Sequence, residues 1–154
     1  MLRLVVAVLL LLVTSGAVYA SAGRSSAPAP IRHSCGLTDQ QFLSNYQVQL
    51  AAVGMYGDDF LQGAAKAQDV EVAAREAARV VRRSAPFDPS LLTVRRFAPA
   101  MFTEFGRAVK ARAAGKNAGP AMYRSYLLGA RVNEVLTEAQ SGLAAKGCSV
   151  ADLL

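Results

Sequence analysis

Histidine is almost absent from this chain of 154 residues, which contains only His33. A cluster of histidine ligands for a metal is therefore excluded, and so is a nucleophile activated by a histidine on a rigid element, because His33 lies in a linker-like segment. The sequence also lacks the glycine cluster between a strand and a helix that a phosphate-binding loop requires. We predict a non-catalytic protein without a metal or other cofactor.

Carboxylate pairs suited to acid–base catalysis are also missing. Asp58 and Asp59 are adjacent within a predicted helix, so their side chains point in different directions and do not form a catalytic couple. Glu104 is followed one turn later by Arg107, a spacing that predicts a local ion pair. The acidic residues therefore indicate structural roles.

Basic runs with interleaved aromatic residues are absent too, although the formal net charge is +6. Nucleic acid is therefore not predicted as a partner, whereas an anionic lipid or envelope polymer fits the moderate positive charge. Arginine outnumbers lysine and alanine is very common, a bias typical of a GC-rich bacterial genome.

The first 22 residues have the form of a secretory signal peptide. Arg3 gives a basic start, residues 4–13 form an apolar run that is short for a membrane span, and cleavage could follow Ala20 or Ala22. An uncleaved N-terminal anchor is the alternative. We predict a secreted or cell-envelope protein with no stable transmembrane segment after cleavage.

Residues 23–34 are rich in serine, alanine and proline and predict a linker. The two cysteines, Cys35 and Cys148, flank the remaining apolar-periodic part of the chain. In an exported protein two cysteines most often form a disulfide, although free thiols or intermolecular bridges are the alternative. We predict a helical domain over residues 35–148 that a Cys35–Cys148 disulfide closes, followed by a tail over residues 149–154.

Two helices are predicted in the first half of this domain. Thr38 and Gln41 match a capping box, and apolar residues at spacings of three and four predict a helix over residues 39–67. Asp69 is a candidate N-cap for a second helix over residues 70–84, which Pro86 ends.

Two further helices are predicted in the second half. Asp88 followed by Pro89 is a typical helix start, and the apolar stripe beyond it stays in phase across Pro99, which predicts one helix kinked there. The last helix is predicted from Asn117 onward, and Gly147 ends it in the left-handed conformation.

Four helices with short turns predict an all-α, up-down-up-down four-helix bundle. An even number of helices places the start of the first and the end of the last at the same end of the bundle, so Cys35 and Cys148 can meet. Val150 and Leu153 of the tail are expected to lie back on the bundle.

Aromatic residues and methionine mark a candidate ligand groove between the first and last helices. Its predicted residues are Tyr46, Tyr56, Met122 and Tyr126. Such a groove could carry a small apolar, lipid-like ligand, or haem through a tyrosine ligand. The alternative is that these side chains simply fill the core.

Two further groups of residues are candidate partner surfaces, with a solvated face as the alternative. Arg75, Arg79, Arg82 and Arg83 lie on the outer face of the second helix, where they could contact an anionic envelope polymer. Tyr123 and Leu127 lie off the main apolar stripe of the last helix and could contact an envelope protein. The leading interpretation is a non-catalytic interaction protein, and an apolar-ligand carrier is the alternative.

Overall fold

The computed structural model describes residues 35–150 and residue 153. The predicted signal peptide over residues 1–22, the linker over residues 23–34 and His33 lie outside the described residues.

The described residues form four α-helices and no strand, which confirms the predicted all-α, four-helix fold. They are α1 (Leu37–Leu61), α2 (Ala67–Arg83), α3 (Pro89–Ala113) and α4 (Gly119–Ala145). None of these helices is both long enough and apolar enough to span a membrane.

The predicted bounds of α1 are wrong at both ends. Its N-cap is Gly36 and not Thr38, and no side chain caps it. The helix stops at Leu61, six residues early, because Gly63 adopts a left-handed φ of 77° and Ala64 N–H returns to the Asp59 carbonyl at 2.7 Å. This glycine therefore ends the helix.

The start of α2 also differs from the prediction. Lys66 is the N-cap, and the Asp69 carboxylate at the third helical position accepts a hydrogen bond from the Lys66 backbone N–H at 3.0 Å. Asp69 therefore stabilises the first turn from inside the helix, where a negative charge also favours the helix dipole.

The prediction that α3 starts at Asp88 and Pro89 is confirmed, since the Asp88 carboxylate accepts from the Ser90 N–H at 2.9 Å. Pro99 lies inside α3, which continues through it, and the kink there stays a prediction. Thr103 Oγ1 donates to the Pro99 carbonyl at 2.8 Å.

The last helix begins at Gly119, two residues later than predicted, because Asn117 Oδ1 instead accepts from the Gly119 N–H at 2.9 Å. Its predicted end is confirmed. Gly147 has a φ of 80°, and the Cys148 N–H donates to the Leu143 carbonyl at 2.9 Å, the pattern of a Schellman motif.

The predicted disulfide joins Cys35 and Cys148, whose Cα atoms lie 5.0 Å apart. Each helix packs against the next one along the chain. Lys110 near the end of α3 bonds to Glu71 near the start of α2, and Lys146 after α4 bonds to Asp88 before α3. These are the contacts that antiparallel neighbours make.

A single core cluster joins all four helices. Its largest fully buried side chains include Phe42, Leu91, Phe102, Leu136 and Leu143. Val150 is buried in this cluster and Leu153 packs against it, which confirms that the tail returns to the bundle.

The Asp88–Lys146 ion pair ties the start of α3 to the end of α4 at 2.6 Å. Burial opposes ionisation of Asp88, but the bonds from Lys146 and the Ser90 N–H outweigh it and hold the pKa of Asp88 below its ordinary value. The hydrogen bond to Asp88 raises the pKa of Lys146. The pair therefore contributes fully between the ordinary carboxyl pKa, near 3.9, and the ordinary lysine pKa, near 10.4.

Replacing Lys146 with methionine should shift the acid-unfolding midpoint to higher pH, because Asp88 then loses its partner and protonates earlier. Circular dichroism during an acid titration measures this midpoint. The Lys116→Met variant is the control, since Lys116 is exposed in the α3–α4 turn and forms no ion pair within residues 35–150. Equal midpoints for the two variants would contradict the assignment.

Candidate functional site

An apolar pocket of about 480 Å³ lies at the end of the bundle opposite the disulfide. It is formed by the last two turns of α1, the last part of α3 and the start of α4. Its lining comprises Gly54, Gly57, Asp58, Phe60 and Leu61 of α1, Phe105, Ala108, Val109 and Arg112 of α3, and Ala118, Gly119 and Met122 around the start of α4. This volume is within the range of small-molecule sites.

The pocket exists because α1 and α4 are joined at one end and separated at the other. The disulfide ties the start of α1 to the end of α4, yet the two helices hardly contact along their lengths within the described chain. The sequence had predicted that these helices pack as neighbours. Here α1 instead packs on α2 and touches α3, so that α3 forms the floor between α1 and α4.

Two glycines of α1 shape this space. A Cβ at Gly57 would lie 3.0 Å from Cζ of Phe105, so the absence of a side chain lets the Phe105 ring reach the helix. A Cβ at Gly54 would meet no atom within 4 Å, which means that the helix surface there faces open space. Gly54 therefore leaves open space in the pocket, whereas the space beside Gly57 is filled by the Phe105 ring.

The lining is mostly apolar, with one charge of each sign. Asp58 of α1 and Arg112 of α3 both line the pocket, and neither forms an ion pair within the part of the chain that the structure describes. Leu61 and Met122 also line it and are largely exposed. The site therefore combines an apolar interior with charged groups that could meet a polar head.

The four predicted groove residues do not come together at this pocket. Met122 lines it, whereas Tyr56 and Tyr126 are partly exposed and are not part of its lining. Tyr46 is 3% exposed and lies in the core, with its ring centroid 6.4 Å from that of Phe42. Burial raises the pKa of Tyr46 to about 12, so its side chain stays a neutral phenol at neutral pH.

The predicted arginine surface is exposed at all four positions, Arg75, Arg79, Arg82 and Arg83. Arg79 pairs with Glu76, whereas Arg82 lines a groove of about 610 Å³ together with Arg95, Arg96 and Arg107 of α3. Arg79 and Arg83 line a second groove of about 480 Å³ between α1 and α2. The end of α2 is thus flanked by two arginine-lined grooves.

Tyr123 and Leu127, the second predicted partner surface, are both exposed on α4. Met122 and Tyr126 are exposed beside them, so that four large apolar side chains share one stretch of the helix surface. An exposed apolar surface of this kind is typical of a contact site.

Glu104 is buried between α3 and α4, where it accepts from Arg124 Nε at 3.0 Å and from Arg107 Nη1 at 2.5 Å. Burial opposes its ionisation, but the two arginines outweigh burial and hold the pKa of Glu104 below its ordinary value. The predicted Glu104–Arg107 ion pair is therefore confirmed, and it also includes Arg124. Within residues 35–150, no three His, Cys, Asp or Glu side chains are placed to hold a metal ion.

Comparison of the chain with protein-family models, with curated proteins and with solved structures finds no match. The functional assignment therefore depends on the residues of the chain itself.

Proposed function

We propose that this protein is a non-catalytic binding protein of an extracytoplasmic compartment, which holds the apolar part of a small amphiphile in the α1/α3/α4 pocket. The observation that carries the proposal is a pocket of about 480 Å³ between the first and last helices, with a mostly apolar lining. The Cys35–Cys148 disulfide supports the compartment, because disulfides persist where the surroundings are oxidising.

A single acyl chain fits the chemistry of the lining. Phe105, Val109 and Met122 offer apolar contacts along the length of the pocket. Each methylene group removed from water contributes about 0.8 kcal/mol, so a chain of moderate length provides enough free energy to offset the cost of association.

The head group of the ligand is expected to be anionic. Arg112 lines the pocket, is exposed and is not engaged by an acidic partner among the described residues, so that its guanidinium can bind a carboxylate or a phosphate. The negative charge of Asp58 disfavours an anionic head group on the α1 side of the pocket. The head group is therefore oriented toward α3.

A large side chain introduced at position 54 would occupy part of the pocket, and this substitution tests the proposed function. A leucine at position 54 projects into open space, so Gly54→Leu should weaken binding of the fluorescent fatty acid cis-parinaric acid at least tenfold, or about 1.4 kcal/mol, while the helix still forms. Fluorescence titration of the purified protein gives the dissociation constant.

The matched control is Gly142→Leu, because a Cβ at Gly142 of α4 also meets no atom within 4 Å and this glycine lies outside the pocket lining. This variant should bind the probe as the unmodified protein does. Equal affinities for all three proteins, or no saturable binding by the unmodified protein, would reject the pocket as the site.

The exposed apolar side chains on α4 favour a second candidate function, the binding of an envelope protein. Tyr123, Tyr126 and Leu127 lie outside the pocket lining and are exposed, as in a protein-binding surface. Native mass spectrometry of the purified protein separates the two candidates, since a retained small molecule supports the carrier and a retained polypeptide supports the interaction protein.

A further inference from the structure

Two large apolar side chains project into solvent at the disulfide end of the bundle. Leu37 in the first turn of α1 is 83% exposed, and Phe87 in the loop between α2 and α3 is 78% exposed. They are the two most exposed large apolar side chains of the described chain. This end is remote from the ligand pocket, so binding of a ligand there does not account for the exposure of Leu37 and Phe87.

The backbone that carries Phe87 is held firmly in place. Asp39 Oδ1 accepts from the Phe87 N–H at 2.7 Å and from the Asp88 N–H at 3.2 Å, which ties this loop to α1. Asp88 in turn caps α3 and bonds to Lys146 after α4. The exposure of the Phe87 ring therefore belongs to the folded structure, in which the ring is presented from a fixed loop.

Arginines surround the base of this loop. The groove of about 610 Å³ on one side of the end of α2 contains Arg82, Arg95 and Arg96, and the groove on the other side contains Arg83. The guanidinium of Arg95 is fixed, since its Nε and Nη2 both donate to the Arg82 carbonyl at 3.2 and 2.9 Å.

Part of the positive charge at this end is balanced, since Arg79 pairs with Glu76 and Lys146 pairs with Asp88. Arg82, Arg83 and Arg96 form no ion pair within residues 35–150. Leu92, also partly exposed, lines the same groove as Arg82 and Arg96.

We propose that the disulfide end docks on the surface of an anionic lipid bilayer, with Phe87 and Leu37 inserted at the level of the head groups and the arginines on the lipid phosphates. Aromatic side chains favour the membrane interface, and basic residues beside them are attracted by anionic lipid. An anionic polymer would engage the arginines and leave Phe87 and Leu37 in water, so the apolar pair selects the bilayer. The pocket lies at the opposite end and stays accessible while the protein is docked.

Co-sedimentation with lipid vesicles tests this proposal. The purified protein should bind vesicles that contain phosphatidylglycerol and phosphatidylcholine, and it should bind vesicles of phosphatidylcholine alone much more weakly. Phe87→Ala should weaken binding to the anionic vesicles about tenfold. A triple variant with Arg82→Gln, Arg83→Gln and Arg96→Gln should weaken it about fiftyfold and reduce its dependence on salt.

Two controls match these variants in chemistry and differ in position. Tyr123→Ala removes an exposed aromatic side chain from α4, and a triple variant with Lys66→Gln, Lys110→Gln and Lys116→Gln removes the same charge at the pocket end without changing the pocket lining. Both should bind anionic vesicles within about threefold of the unmodified protein. Residues 1–34 are identical in all the variants, so any affinity of that segment for lipid cancels in the comparison.

Several results would overturn the proposal. Binding that Phe87→Ala leaves unchanged would favour a polyanion as the partner. Equal losses of vesicle affinity for the two triple variants would mean that only the net charge of the protein matters. Equal binding to neutral and anionic vesicles would mean that the arginines do not contribute to docking. These outcomes are independent of the titration with cis-parinaric acid, so the ligand pocket and the docking surface can fail separately.

Discussion

Loss of the Cys35–Cys148 disulfide should lower the free energy of unfolding by about 5 kcal/mol and the Tm by roughly 15–25 °C. The two cysteines are 113 residues apart in sequence, so the bridge closes a loop that includes all four helices. In the chain-entropy model the stabilisation grows with the length of the closed loop, because the cross-link removes conformations from the unfolded chain. The loss is comparable with the whole stability of many small domains.

The measurement compares urea unfolding of the unmodified protein with that of a double variant, Cys35→Ala and Cys148→Ala. Alanine is chosen because both cysteines are buried and a hydroxyl there would lack a partner. Adding a thiol reductant should bring the unmodified protein to the stability of the double variant and leave the double variant unchanged. A difference below about 1 kcal/mol would show that packing alone holds the two ends together.

The covalent link was readable from the sequence because the chain has only two cysteines, and because four helices with short turns bring them to the same end of the bundle. Gly147 predicts the left-handed end of the last helix, and the structure places Cys148 directly after it with a φ of 80° at the glycine. Asp88 followed by Pro89 marks the start of α3 in the same way. These signals are local, since each depends on backbone geometry that neighbouring residues determine.

The starts of α1 and α2 were not readable from the sequence in the same way. Thr38 matched a capping box, yet the structure caps α1 at Gly36 and uses Asp39 to accept from the Phe87 N–H, 48 residues away in sequence. Asp69 similarly bonds back to Lys66 from inside α2. A carboxylate has several backbone donors within reach, and tertiary packing decides among them.

The residues of the candidate site were also only partly predictable from the sequence. Apolar periodicity gives the face of α1 that turns inward, but it does not give the neighbour that this face meets. Tyr46 therefore lies in the core, whereas Gly54 and Gly57 line the pocket. The available signal was a pair of glycines three apart in α1, together with the small residues Ala118 and Gly119 at the start of α4.

A buried and an exposed phenylalanine should lose very different amounts of stability when each is replaced with alanine. Phe102→Ala should cost about 4 kcal/mol, because Phe102 is 1% exposed in the core and its ring centroid lies 6.2 Å from that of Tyr46. Truncation removes the apolar contacts of the ring and leaves a cavity where α1 and α3 meet, which the buried helices cannot fully close.

Phe87→Ala is the matched comparison, and it should change the free energy of unfolding by less than about 0.5 kcal/mol. The ring is already in water in the folded protein, and the hydrogen bonds that hold its loop come from the backbone, which alanine keeps. Urea unfolding followed by circular dichroism measures both variants. A large loss for Phe87→Ala would mean that this ring supports the fold, and it would then no longer be free to serve as the membrane-docking residue.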